Sequence, residues 1–287
     1  MPRVSAERFR GFVALGIAAR LLLIVYGLVQ DNYFTVKYTD VDYFVVTDGA
    51  ALLARGESPF DRTTYRYSPI LAALLLPNIW IHECVGKLLF CLADIIVALL
   101  VRQTVLVNLT KSHHESSTTV SSNAVPEPTT TTANNSKSST NSVPAIEKAN
   151  FWALAWLLNP LPASISSRGN ADSLVLALVL TVVLLTLQQR PVRAGLVFGL
   201  AVHFRLYPII YAPALALHFF WSRPPLKWTW QIAVRKALAA GLFGLVGAVT
   251  CLTLTGGTYY YFGYKGLCHA LLSSSFLFAV AVDCRLI

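Results

Sequence analysis

Phe9–Val29, FRGFVALGIAARLLLIVYGLV, followed closely by Lys37–Tyr43, KYTDVDY, decides the fold of this chain. The apolar run reaches the ~20 residues that a helix needs to cross a bilayer. It ends in Tyr26-Gly27-Leu28-Val29-Gln30, without the small-residue site at which a signal peptide is cut, and therefore reads as a retained anchor. The second stretch sets Asp40 and Asp42 one residue apart at a membrane surface, framed by aromatic residues suited to the interface. Two carboxylates so placed hold a cation or a phosphate-bound metal. Alternatively, one of them, kept ionised, deprotonates a sugar hydroxyl. The plainer reading is a pair of solvated loop acids.

Composition sets the class. Of 287 residues 55% are hydrophobic and 13% charged. Several runs approach or exceed membrane-spanning length, so the expected fold is all-α and polytopic. The net charge of +9 does not point to nucleic acid, because Lys and Arg sit between apolar spans, where cytoplasmic loops collect them. Cys84, Cys91, Cys251, Cys268 and Cys284 follow no metal-ligand spacing and read as small apolar residues.

Charge also orients the chain. Arg3, Arg8 and Arg10 precede the first span, placing the N-terminus in the cytoplasm and the acid pair on the far side. Residues 1–107 comprise the anchor, the long loop with the acid pair, and a second span from about Gly86 to Val107. Within that loop Asp48–Arg55 reads as a short helix ending at Gly56. Ser68–Ile81, too short to span and interrupted by Pro77, reads as a helix lying along the membrane or a re-entrant one. Residues 108–148 contain a Ser/Thr/Asn-rich tract, Lys111–Val143, expected to be disordered and cytoplasmic. The sequons at Asn108 and Asn134 then face the wrong compartment for glycosylation, and His113-His114-Glu115 is incidental. Residues 149–256 hold the remaining spans: one beginning near Phe151 and ending with Asn159-Pro160-Leu161-Pro162, one from about Leu174 to Leu187, and a last from Ala237 to Leu254. Between the last two, the half-length runs Ala194–Val202 and Ile209–Phe220 suit a broken hairpin, tolerated at membrane depth where protein or a cavity surrounds it. Residues 257–287 form a divergent C-terminal segment.

This topology gathers Asp40, Asp42, Arg66, the Arg168–Ser173 segment, His203 and Arg205 on one side of the membrane. Guanidinium groups bind phosphate oxygens bidentately, and carboxylates can face a hydroxyl nucleophile. Together these groups describe transfer from a phosphate-linked donor at a membrane surface. Arg20 and Asp94 lie inside spans, where a central charge costs ~2.5–3.5 kcal/mol or more; they are expected either to pair with one another or to serve the site. Tyr33, Tyr38, Tyr43 and Trp80 read as an aromatic belt, and His82 and Glu83 as interfacial residues.

Several segments carry a family resemblance: Lys37–Asp42; Ala51–Tyr67, ending in Thr-Tyr-Arg-Tyr; Pro77-Asn78-Ile79; Leu157–Pro162, LLNPLP; Ser166–Ser173, SSRGNADS; and Ala201-Val202-His203 followed by Tyr207-Pro208. On these the chain resembles the GPI mannosyltransferase 1 catalytic subunits, membrane glycosyltransferases of the GT-C superfamily. The resemblance implies a GT-C-type helical bundle in the endoplasmic reticulum membrane with a lumenal acid pair. It implies mannose transfer from dolichyl phosphate mannose to glucosaminyl phosphatidylinositol in α-1,4 linkage, with inversion, and a small non-catalytic membrane subunit as partner. Asp40 or Asp42 is then the base, with or without a divalent cation held by the pair. Arg66, Arg168 and Arg205 are the candidates for the donor phosphate, and Asn170, Asp172 and His203 for substrate binding. The resemblance weakens beyond about Gly263, so the 287-residue chain is expected to restore little mannosylation by itself. The competing reading is a transporter, which shares broken helices and intramembrane charges, or a non-catalytic scaffold. The chain shows none of the internal repeats usual in transporters.

Overall fold

Asp40 opens the part of the fold that matters most. Its backbone is extended, its side chain accepts from the Asp42 amide at 3.4 Å, and a helix follows at once. An aspartate in that position satisfies an amide that the first helical turn leaves without an intrahelical partner. The helix expected from Asp48 therefore begins seven residues earlier in a computed structural model that describes residues 6–121, 137–221 and 229–272. Among these residues the elements are α1 (Ala6–Tyr33), α2 (Val41–Ala54), α3 (Pro69–Leu74), α4 (Leu76–Trp80), α5 (Val85–Ser121) and α6 (Lys137–Leu157). They continue with α7 (Pro160–Ser167), α8 (Asp172–Leu187), α9 (Pro191–Phe204), α10 (Ala212–Trp221) and α11 (Trp230–Leu272), with 3-10 turns at Pro59–Asp61 and Tyr207–Tyr211.

Among the described residues three helices are long and apolar enough to cross a membrane: Glu7–Tyr33, Val85–Thr110 and Trp230–Gly263. The bent pair α7 and α8, meeting at 120°, makes a fourth if it is one span. The two spans expected around Phe151–Pro162 and Leu174–Leu187 thus take another form. α6 stops at Leu157, and Asn159 caps α7 by accepting from the Leu161 amide at 3.0 Å, with Pro160 in its first turn. α5 and α6 also carry helix into the Ser/Thr/Asn tract, to Ser121 and from Lys137; the stretch between, with Asn134, lies outside the described residues.

Ser68–Ile81 is not one surface helix. It is two short ones, α3 and α4, and Leu71, Ala72 and Leu75 are buried with Tyr43, Val46 and Ala50 of α2 and Phe90 of α5. Buried Asn78 locks this layer. Its amide donates to the Tyr43 hydroxyl at 2.9 Å and to Thr47 Oγ1 at 3.1 Å, and its oxygen accepts from the Gly86 amide at 2.6 Å. Tyr43, buried this way, belongs to the core and not to an aromatic belt, whereas Tyr33 and Trp80 are exposed.

α1 and α5 run antiparallel. Asp31 lies 3.7 Å from Lys87 at one end, and the Arg102 guanidinium sits 5.5 Å from the Phe9 ring at the other. Midway, Arg20 Nε and Nη2 donate to Asp94 Oδ2 at 2.9 and 2.6 Å, and Nη1 donates to the carbonyls of Gly16 and Leu157 at 2.9 and 2.8 Å. Trp156 Nε1 donates to Asp94 Oδ1 at 2.8 Å. Of the two expectations for this pair, mutual neutralisation holds, with both side chains buried and further partners on α1, α6 and α7, where Ser166 Oγ donates to Asp94 Oδ2 at 3.4 Å.

α9 and α11 approach closely because Gly195 and Gly199 face α11. A Cβ on Gly199 would lie 2.4 Å from the Gly247 carbonyl oxygen, and one on Gly195 2.7 Å from that of Phe243. Such small-residue contacts suit membrane helices, whose backbones gain by close packing. The half-length runs expected at Ala194–Val202 and Ile209–Phe220 fall in α9 and in the 3-10 turn with α10. α9 ends at Phe204, Arg205 is extended, and Pro208 three residues further on bars an immediate continuation.

Candidate active site

The segment entering the acid pair is held before it arrives. Asp31, in the last turns of α1, accepts from the amides of Tyr38 and Thr39 at 2.6 and 3.1 Å and from the Thr39 hydroxyl. Lys87, buried at the start of α5, donates to Thr39 Oγ1 at 2.6 Å. The turn between α7 and α8 grips the same stretch from the other side. The Asp40 amide donates to the Arg168 carbonyl at 2.9 Å, Arg168 Nε to the Tyr38 carbonyl at 3.0 Å, and Asn170 Nδ2 to Asp40 Oδ2 at 3.2 Å. Tyr38 Oη and Ser167 Oγ lie 2.7 Å apart. Gly169 makes this possible: its φ is +91°, and a Cβ there would stand 2.4 Å from the Tyr43 ring.

Asp42 sits in the first turn of α2 and lines the same cleft as Tyr67. Burial raises the pKa of the Tyr67 phenol, and the neighbouring Asp42 carboxylate raises it further, so the hydroxyl keeps its proton. Arg205 caps the arrangement from the end of α9. Its guanidinium lies 5.8 Å from the Tyr67 ring and 3.0 Å from Asp172 Oδ1. Asp42, Tyr43, Tyr67, Gly169, Asn170 and Arg205 line one narrow cleft.

Most of the residues singled out in the sequence therefore meet. Asp40, Asp42, Arg168, Asn170, Asp172 and Arg205 stand in one bonded cluster. Two do not join it. Arg66 is exposed and is not among the cleft-lining residues. His203 is buried and turned to α11, its Nδ1 3.4 Å from Thr255 Oγ1; it faces the α9–α11 seam because it lies inside α9, before the chain breaks out at Arg205. Among the described residues no three His, Cys, Asp or Glu side chains stand together, so a divalent cation at the acid pair would complete its oxygen shell from substrate phosphate and water.

Sequence reading passed over Asp31, Tyr67 and Lys87. Lys87 had a signal: an ammonium near the start of an apolar helix costs least when it has a partner. Asp31 acts mainly on Tyr38 and Thr39, seven and eight residues on, through a loop fold that residue types alone do not announce, and Tyr67 reaches Arg205 across a long stretch of sequence.

The Mannosyltransferase (PIG-M) family model matches residues 165–277, taking in the α7–α8 turn and Arg205. GPI mannosyltransferase 1 of Dictyostelium discoideum is 35% identical over 260 residues, covering 87% of this chain and 52% of that protein. The enzyme of the same name from Trypanosoma brucei brucei is 35% identical over 94% of the chain and 55% of its own length. GPI alpha-1,4-mannosyltransferase I, catalytic subunit, of Danio rerio is 40% identical over 71% and 44%. The chain belongs to the GPI mannosyltransferase 1 family. It spans about half the length of the curated relatives it matches. The family and the long apolar helices make this an all-α, polytopic membrane protein.

Proposed function

We propose that this cleft transfers the first mannose of the GPI anchor, from dolichyl phosphate mannose to glucosaminyl phosphatidylinositol in α-1,4 linkage. The observation that carries the reading is Asp42 and Arg205 lining one cleft with Tyr67 between them. Asp42 takes the proton of the acceptor hydroxyl as its oxygen forms a bond to the anomeric carbon. The bond from that carbon to the phosphate oxygen breaks, and dolichyl phosphate leaves with the electron pair. A single in-line step inverts a β-linked donor to an α-linked product.

The two acids divide the work. Asp40 has one oxygen toward the Asp42 amide and the other toward Asn170, so it shapes the helix start and the turn beside it. Asp42 is the base. Arg205, oriented by Asp172, meets the charge that develops on the departing phosphate, with Arg168 and Arg66 nearer the solvent. Asn170 and Asp172 contact the sugar. A preorganised guanidinium at a developing anion is the kind of interaction that contributes most to such catalysis. The cleft lies in the endoplasmic reticulum lumen, and the enzyme works with a small non-catalytic membrane subunit.

A chimaera tests the reading without depending on chain length. Residues 1–221 of this chain replace the matching part of the Dictyostelium discoideum relative, and microsomes carrying the chimaera receive labelled donor. Label is expected in a mannosylated glucosaminyl phosphatidylinositol, and to be lost with Asp42→Asn. A chimaera that inserts into the membrane at normal abundance yet incorporates no label overturns the reading.

A further inference from the structure

Behind the wall formed by Tyr43 lies a second cavity, of about 230 Å³, between the end of α1 and the start of α5. Asp31, Lys37, Thr39, Tyr43, Glu83 and Lys87 line it. Its charge pattern is mixed: two ammonium groups and two carboxylates. Lys87 is 3% exposed, donates to Thr39 Oγ1, and rests 5.7 Å from the Tyr43 ring centre. Asp31 is committed to the Tyr38 and Thr39 amides and the Thr39 hydroxyl, and balances Lys87 at 3.7 Å. That leaves a buried cation, held in place by its surroundings, with N–H capacity remaining beyond Thr39, since an ammonium has three donors. Glu83 is exposed at the rim, with its backbone carbonyl fixed by the Tyr43 hydroxyl. Lys37, also exposed, donates to the Asp31 carbonyl.

We propose that this cavity is a separate headgroup site that takes a small zwitterion, its phosphodiester against Lys87 and Lys37 and its ammonium against Glu83. The proposal rests on the acceptor assigned above, glucosaminyl phosphatidylinositol, whose headgroup carries both charges. Anion recognition alone would not place two carboxylates beside two lysines, and cation recognition alone would not bury Lys87. The volume is below the roughly 300–1,000 Å³ of sites for drug-sized ligands, which suits one charged unit of a headgroup with the lipid tails left in the bilayer. Tyr43 lines both this cavity and the cleft holding Asp42, so a headgroup seated here is one side chain away from the base.

Direct binding tests it. The full chain in lipid nanodiscs is titrated with three lipids: glucosaminyl phosphatidylinositol, its N-acetylated form, which keeps the phosphate and loses the ammonium, and phosphatidylinositol. The amine form is expected to bind at least about tenfold tighter than the acetylated form, in line with a hydrogen bond between charged groups. Glu83→Gln, a change at an exposed residue, is expected to erase that preference and leave phosphatidylinositol binding unchanged. Lys87→Met is expected to weaken all three lipids about tenfold or more, and Lys87→Arg to retain binding, which separates charge from folding. Equal binding of the amine and acetylated forms, or wild-type binding by Lys87→Met, overturns the proposal. Selective binding together with failure of mannose transfer supports this site and sinks the transfer reading. Transfer by a chain that shows no such selectivity does the reverse.

Discussion

Asp94→Ala removes one member of a buried ion pair and strands the Arg20 guanidinium between two helices. Leaving such a charge without its counter-ion costs about 3–5 kcal/mol. A large drop in the thermal unfolding midpoint in detergent is expected for Asp94→Ala, and a smaller one when Arg20→Met accompanies Asp94→Leu, since no buried charge then remains. A double variant no more stable than Asp94→Ala would mean that the pair does more than neutralise itself. The two site acids call for a different substitution. Asn caps a helix as well as Asp does, so Asp40→Asn keeps the start of α2, although its one carbonyl oxygen cannot also accept from Asn170. On the division of labour proposed above, Asp42→Asn lowers mannose transfer by about 10²–10⁴-fold, while Asp40→Asn lowers it far less. Labelled-mannose incorporation by the chimaera decides this, and equal losses would show that Asp40 shares the chemistry.

At the scale of elements, the seam between α9 and α11 is expected to tolerate no side chain. Gly199→Leu must push the helices apart, and overpacking of this kind costs about 1–3 kcal/mol. Gly241 and Gly244 of α11 have nothing within 4 Å of a built Cβ, so Gly241→Leu serves as the control. Thermal unfolding in detergent should fall for the first and hold for the second; since leucine favours a helix more than glycine does, a matching fall in both would show that close packing at this seam is not the cause. Here too lies the limit of what the chain reveals before it folds. The long apolar helices and the meeting of Asp40, Asp42, Arg168, Asn170, Asp172 and Arg205 were legible, because span length and loop charge follow from local composition. The start of α2 was not, since KYTDVDY reads as a loop until Asp40 is seen capping it. The burial of α3 and α4 was hidden for a related reason: a short apolar helix covers a membrane surface and a protein core equally well, and only Asn78 binding Tyr43, Thr47 and Gly86 decides between them.

For the molecule as a whole, polarity is sorted by end. Asp31, the acid pair, the α7–α8 turn and Arg205 gather at one end of the bundle, and Phe9 and Arg102 meet at the other. If the first end faces the lumen, Asp61→Asn, which completes a sequon with Thr63, is expected to acquire glycan, while Asn108 in the native chain carries none. Endoglycosidase-sensitive mass shifts read both positions in one gel. Glycan on Asn108 would invert the orientation.

The hydrogen bond between Asp40 and Asn170 joins positions 130 residues apart. A ribosome adding roughly 5–20 residues per second takes on the order of ten seconds to supply the second after the first. During that interval the emerging acid pair has the Asp31 contacts within reach but nothing from the α7–α8 turn, and Arg205 comes later still. The nascent protein therefore passes through a stage in which its chemistry is already displayed and its enclosure has not been made, and chains stalled before Ser166 should be cut by protease near Val41 where finished ones resist.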